Sequence, residues 1–191
     1  MKKLSLAVLG ALLLAACGGG HEQYEGYWKR QGDGDKRPDV VQIVKEDSKT
    51  YLLKENLLPN RKGEVHEKSL VLSQKDDGTL AVDTGFGSIP LMLSEDGKTL
   101  RAERRAYDKI SSGDFDGIRQ QVEQENAEYA KNEQLCEAAK KEYQAARDAH
   151  PQPQVGGGKE VWERWREEDN ALKEKFKAKR DAIDHCHFLI L

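Results

Sequence analysis

The chain holds three cysteines, Cys17, Cys136 and Cys186. A cysteine thiol can be alkylated, oxidised to a disulfide or bound to a metal, and its neighbours decide which. Cys186 is flanked by His185 and His187. Adjacent residues point in different directions, and no second Cys/His cluster supplies the remaining donors, so neither a metal nor another cofactor is expected. A helix terminus, where histidine suits the dipole, is the simpler reading of the triplet. If other chemistry consumes Cys17, Cys136 and Cys186 remain, and in an oxidising compartment two such cysteines pair. Both fall on apolar seams of helical periodicity, which favours contact. Register opposes it. In a regular hairpin centred near Pro153, Cys136 faces about residue 171, and Cys186 lies about 22 Å farther on at 1.5 Å per residue. A disulfide needs Cα atoms within roughly 7 Å. Three outcomes stay open: an intrachain bond with a break near Asn126 or crossed helices, a bond between two chains, or two separate thiols.

Other side chains offer contacts rather than reactions. Trp162 and Trp165 could form an aromatic platform for a glycan, but their spacing puts them on a helical seam, where core packing is the simpler reading. Tyr27 and Trp28 alternate on a strand, so one faces the sheet interior and the other solvent. Trp28 could then floor a ligand cavity or simply fill a core. Arg101, Arg104 and Arg105 could meet an anionic partner such as lipopolysaccharide, or form a solvated strand surface. Gly85-Phe86-Gly87 has no following Lys-Ser/Thr and is no phosphate loop. There is no G-x-S-x-G, no H-E-x-x-H and no Cys on a nucleophile turn with a His partner. The acidic residues spread over helices as surface charge. No catalytic residue is assigned, and the chain is expected not to be an enzyme.

The N-terminus bears on location. Lys2 and Lys3 precede thirteen uncharged residues, Leu4 to Ala16. A spanning helix needs about 20 apolar residues, so this stretch fits a cleavable leader instead. Leu14-Ala15-Ala16-Cys17 resembles the lipobox of bacterial lipoproteins. The resemblance implies cleavage before Cys17, diacylglycerol on its sulfur and an acyl chain on its new amine. Each buried methylene contributes about 0.8 kcal/mol, so several chains would anchor the protein durably in a membrane. Gly18-Gly19-Gly20 then forms a short tether. Gly18 stands where an Asp would resemble an inner-membrane retention signal, which favours the outer membrane of a Gram-negative envelope. The 191-residue chain carries 31 basic and 34 acidic side chains. Without Lys2 and Lys3 the balance is 29 to 34, so there is no footprint for nucleic acid and no electrostatic attraction to anionic lipid.

Two regimes must position these residues. From Tyr24 to about Ile110, alternation in Val41/Ile43, Leu70/Leu72, Leu80/Val82, Ile89/Leu91/Leu93 and Leu100/Ala102 is broken by Asp-Gly turns every eight to twelve residues. That pattern predicts an antiparallel meander of seven or eight strands, closed into a small barrel or strongly curved. Pro90 predicts an edge strand or a bulge. From Ser111 the period changes. Phe115, Val122, Tyr129, Cys136 and Tyr143 recur every seven residues, predicting a helix over about Asp114–Ala149. His150 to Gly158, with two prolines and three glycines, is a connector. A second helix is expected over about Lys159–His185, its stripe interrupted by Asp169 and Lys179. The fold class is therefore α+β, an antiparallel β-meander followed by a long helical hairpin. The segments are 1–16 (leader), 17–23 (lipidated Cys and tether), 24–110 (meander) and 111–191 (hairpin).

Gly26-Tyr27-Trp28 resembles the G-x-W opening of lipocalin-like domains, and Ile89 to Leu100 is similar to the closing hairpin of small bacterial lipoproteins with such sheets. The resemblance implies a calyx or half-barrel. The function expected is a non-catalytic, membrane-anchored binding module of the envelope, holding a small hydrophobic ligand in the meander or docking an envelope protein. One alternative is a structural or assembly lipoprotein, with Asn132, Asp169 and Lys179 setting register with a partner coiled coil. Another is an inhibitor of a cell-wall hydrolase. The spacing of Cys136, Ala139 and Tyr143, before a Trp-containing helix ending at Cys186, resembles helical periplasmic lysozyme inhibitors.

Overall fold

The structure is a computed structural model that describes residues 20–32 and 37–190. Cys17 and the apolar leader lie outside the described residues. A short 3₁₀ turn, His21–Tyr24, is followed by eight strands. They are β1 (Gly26–Arg30), β2 (Val40–Lys45), β3 (Tyr51–Glu55), β4 (Lys68–Gln74), β5 (Leu80–Asp83), β6 (Ser88–Leu93), β7 (Thr99–Ala102) and β8 (Arg105–Ile110). Each pairs antiparallel with the next, and β8 returns to β1 with Tyr27 opposite Ile110 and Arg30 opposite Tyr107. The meander is thus a closed barrel without edges. The turns explain the short strands. Asp47 accepts from the amides of Lys49 and Thr50, Asp77 from Thr79, and Asp96 from Lys98. For Asp96 the Ser94 hydroxyl also donates to the carboxylate, and these bonds, that of Ser94 foremost at Asp96, hold all three carboxyls below their usual range. Gly78 and Gly97 take the left-handed backbone that the turns require.

Alternation sends Trp28, Ile43, Leu53, Leu72, Leu80, Leu91 and Leu100 into one interior cluster with Tyr24, Tyr51 and Tyr107. Trp28, Ile43 and Leu80 are fully buried. Large side chains therefore fill the barrel, and the calyx implied by the lipocalin-like resemblance is replaced by a packed core. Trp28 lies within this core cluster. Its Nε1 donates to the Tyr24 carbonyl at 2.8 Å, and Tyr24 Oη donates to the Leu91 carbonyl at 2.9 Å, so the entering chain is tied across the barrel mouth. The Pro90 expectation is corrected. Strand β6 is internal, with Pro90 opposite Ala81 of β5, while its pairing to β7 begins only at Leu91. An imino acid is tolerated one residue outside that second ladder.

One barrel end carries the chain entry, the end of β8 and the β2–β3, β4–β5 and β6–β7 turns. The other carries the β1–β2, β3–β4, β5–β6 and β7–β8 connections. Helix α1 (Ser112–Asp148) starts at the first end. Ser111 caps it: its hydroxyl accepts from the Asp114 amide, and Asp114 reaches back to the Ser111 amide. Phe115 stacks on Tyr27, ring centroids 4.4 Å apart, and closes over Val40 and Leu57. The outward-facing Tyr27 thus meets α1 rather than open solvent. Farther along, Asn126 donates to the Asn60 carbonyl and Arg61 lies over the Tyr129 ring. The β3–β4 connection bearing Asn60 and Arg61 is at the second end. Fourteen residues from Phe115 to Tyr129 span about 21 Å, so α1 runs along the barrel wall and continues beyond it.

Past the barrel, α1 pairs with α2 (Lys159–Asp181). The second helix ends four residues before the expected His185. After a turn at Ala182–His185 the chain runs back without regular secondary structure, and Cys136 is bonded to Cys186 with Cα atoms 5.3 Å apart. The helices meet in a register that permits the bond, for two reasons. His150 faces Trp165 and Arg147 faces Asp169, which puts the midpoint near residue 158 rather than 153. The Pro/Gly connector runs on past the end of α1 before α2 begins. The turn after Asp181 then covers the remaining gap without a break near Asn126. A cluster of Ala139, Tyr143, Phe176, Cys186 and Phe188 forms the hairpin core.

Candidate functional site

The hairpin seam is apolar only in its middle. Asp169 is buried, 3.8 Å from Arg147 Nη1 and 2.9 Å from Lys173 Nζ. Lys179 pairs with Glu142 across the helices. The residues that interrupt the sequence stripe are therefore engaged within the hairpin, and the register they set is that of α1 against α2. Asn132 lies instead in a 410 Å³ cleft with Arg37, Arg61, Glu125, Tyr129 and His185, where barrel, α1 and the C-terminal turn meet.

The hairpin tip gathers the aromatic candidates. His150 stacks on Trp165 at 5.5 Å with planes 4° apart, and Trp162 meets Trp165 edge-on at 6.0 Å. Both indoles are half-buried. Gly157 of the connector lies close to the Trp162 ring, where an added Cβ would make only ordinary contact at 3.5 Å from Nε1. Val155, in the same connector, is fully exposed. The arrangement is a packed apical knob with an apolar point, not an open platform of parallel ring faces. Further exposed apolar side chains on the hairpin are Leu135, Val161 and Leu189.

Arg101, Arg104 and Arg105 are exposed around the β7–β8 turn at the second barrel end. Arg105 donates to the Tyr107 hydroxyl, and that bond raises the guanidinium above its ordinary value. Burial pushes the Tyr107 hydroxyl up. The three arginines lie on β7, β8 and the turn between them, whereas Trp162 and Trp165 lie on α2. Trp28 sits in the core, remote from both groups. The chain thus does not join its sequence candidates into one site. No cluster of His, Cys, Asp and Glu suited to a metal occurs among the described residues.

Two features were missed in the sequence. One is the stack of His150 on Trp165, for which the only signal is a His immediately before the connector. The other is the junction in which Arg61, Tyr129 and His185 bring three distant segments together; Tyr129 and His185 lie 6.0 Å apart. Sequence spacing carries no signal for it. No helix among the described residues is long and apolar enough to cross a membrane. No protein-family model, curated protein or solved structure matches the chain.

Proposed function

We propose that the protein is an outer-membrane-anchored envelope lipoprotein whose barrel is a stand and whose helical hairpin is the surface that docks an envelope protein. The observation that carries this reading is directional. The described chain enters at one barrel end, Gly20 lies three residues from Cys17, and the hairpin extends from the opposite end. An anchor on Cys17 would hold the barrel near the membrane and direct the hairpin away from it. The filled interior favours a protein partner over a small hydrophobic ligand. The internal pairing of Asp169 and Lys179 argues against an assembly role in which those residues select a partner helix.

Photo-crosslinking in intact cells tests the proposal. A diazirine amino acid replaces Val161 or Leu135 on the hairpin, or Val71 or Met92 on the barrel wall, all four exposed. The expected result is a discrete protein adduct from the hairpin positions and none from the wall. Adducts confined to the wall would reverse the assignment.

A further inference from the structure

The segment after α2 is a separate piece of the hairpin core. Helix α2 stops at Asp181, and the tail returns between the helices. Ile183, Cys186, Phe188 and Ile190 supply four of the ten residues of the hairpin cluster. Phe188 packs on Tyr143 with ring centroids 6.1 Å apart, and Arg180 Nη1 donates to the Phe188 carbonyl at 3.3 Å. The tail thus occupies the groove between two helices whose own apolar seam is narrow.

Its turn is strained. His185 has φ 61°, a left-handed backbone that a histidine adopts at a cost. A 730 Å³ cleft lined by Arg180, Ile183, His185, Cys186, His187 and Phe188 opens beside the bonded cysteine. Cys136 is half-buried on the α1 side. The bond therefore closes a strained turn, and although Cys186 is buried, the cleft lies beside it and Cys136 is partly open to solvent.

We infer that the Cys136–Cys186 bond is a releasable latch, acted on by a dithiol reductant, that holds residues 182–190 in the hairpin groove. The step balances as ordinary thiol–disulfide exchange. A thiolate of the dithiol attacks one sulfur, and the other leaves as a thiolate and takes a proton from water. The second thiolate of the reductant then attacks the reductant's own sulfur in the mixed disulfide, breaking that bond and expelling the remaining protein sulfur as a thiolate, which takes a proton from water. The dithiol ends as a disulfide, and the protein carries two thiols. Release uncovers Tyr143 and Phe176 and withdraws His185 from Tyr129, loosening the hairpin at the barrel junction. Docking of a partner on the hairpin would then depend on the redox state, but the latch itself depends neither on the anchor nor on a partner.

Limited trypsinolysis of the folded full chain, with and without dithiothreitol, tests it. Reduction is expected to speed cleavage after Lys179 and Arg180 at least tenfold and to leave cleavage after Lys75 and Lys98, in remote barrel turns, unchanged. Cys186→Ser without reductant should match the reduced protein, whereas oxidised Phe188→Ala should remain protected. Should the serine variant not fold, the reduced native chain gives the same reading, with its far-UV circular dichroism reporting that the barrel is intact. Cleavage after Lys179 and Arg180 that stays slow once both thiols are free would overturn the latch, since packing alone would then hold the tail.

Discussion

Replacing Trp28 with alanine separates a packed barrel from a ligand-holding one. The indole is fully buried among Ile43, Leu80 and Leu100, and its Nε1 satisfies the Tyr24 carbonyl. Truncating a buried large aromatic costs about 3–5 kcal/mol, because the wall around it relaxes only in part. The abandoned carbonyl adds about 1 kcal/mol. A loss of about 4–6 kcal/mol is a large share of the roughly 5–15 kcal/mol that holds a domain together. With a urea slope near 2 kcal/mol/M, the unfolding midpoint should fall by about 2 M or more. Far-UV circular dichroism of the strands is the right probe, since the substitution removes a fluorophore. Trp28→Phe keeps most of the ring and loses only the donor and some volume, so its cost should be about 1–2 kcal/mol. A loss below about 1 kcal/mol for Trp28→Ala would refute the reasoning and restore an open interior in which the indole is a lining residue.

Phe115→Ala removes the ring stacked on Tyr27 and uncovers Val40 and Leu57; it should weaken docking of α1 on the wall by about 3 kcal/mol, seen as faster amide exchange over residues 112–130 with the barrel strands still protected. Asp169→Asn leaves Arg147 and Lys173 facing an uncharged group; because both cations are partly exposed, the expected cost is about 1–2 kcal/mol, read as earlier melting of the helical signal. The Ser111 hydroxyl and amide hold the Asp114 carboxyl below its usual 3.8. A lowered folded-state value contributes stability that is complete above the unfolded value and is lost as pH falls through the folded one. Acidification below about pH 4 should therefore lower the urea midpoint, and Asp114→Asn should make that decline shallower.

The barrel was legible because period-two alternation and Asp-Gly turns are local signals. Val41 and Ile43 on one face, and the Asp77 and Asp96 turns, point to the same architecture as the structure. Closure was less legible, since only the Tyr27–Ile110 register creates it and that pairing joins residues 83 apart in sequence. The filling of the interior was hidden as well: alternation says which side chains point inward but not how much space they leave. The heptad rows gave both helices, with α2 read four residues too long, because nothing local marks the turn that buries Phe188 and Ile190. The same turn explains why the cysteine pairing stayed open. A symmetric hairpin was the wrong reference once a Pro/Gly connector shifted the register and an irregular tail replaced the last helical turn. The hairpin tip was half legible. Two tryptophans on a seam implied packing, but His150 as the stacking partner had no spacing to announce it.

A lipid on Cys17 would decide where the barrel stands and which way the hairpin points. Metabolic labelling with a clickable palmitate analogue, comparing the native chain with Cys17→Ser, measures this directly. Strong label on the native protein in the membrane fraction, and none on the variant, is the expected result. Equal label on both, or none on either, would contradict it.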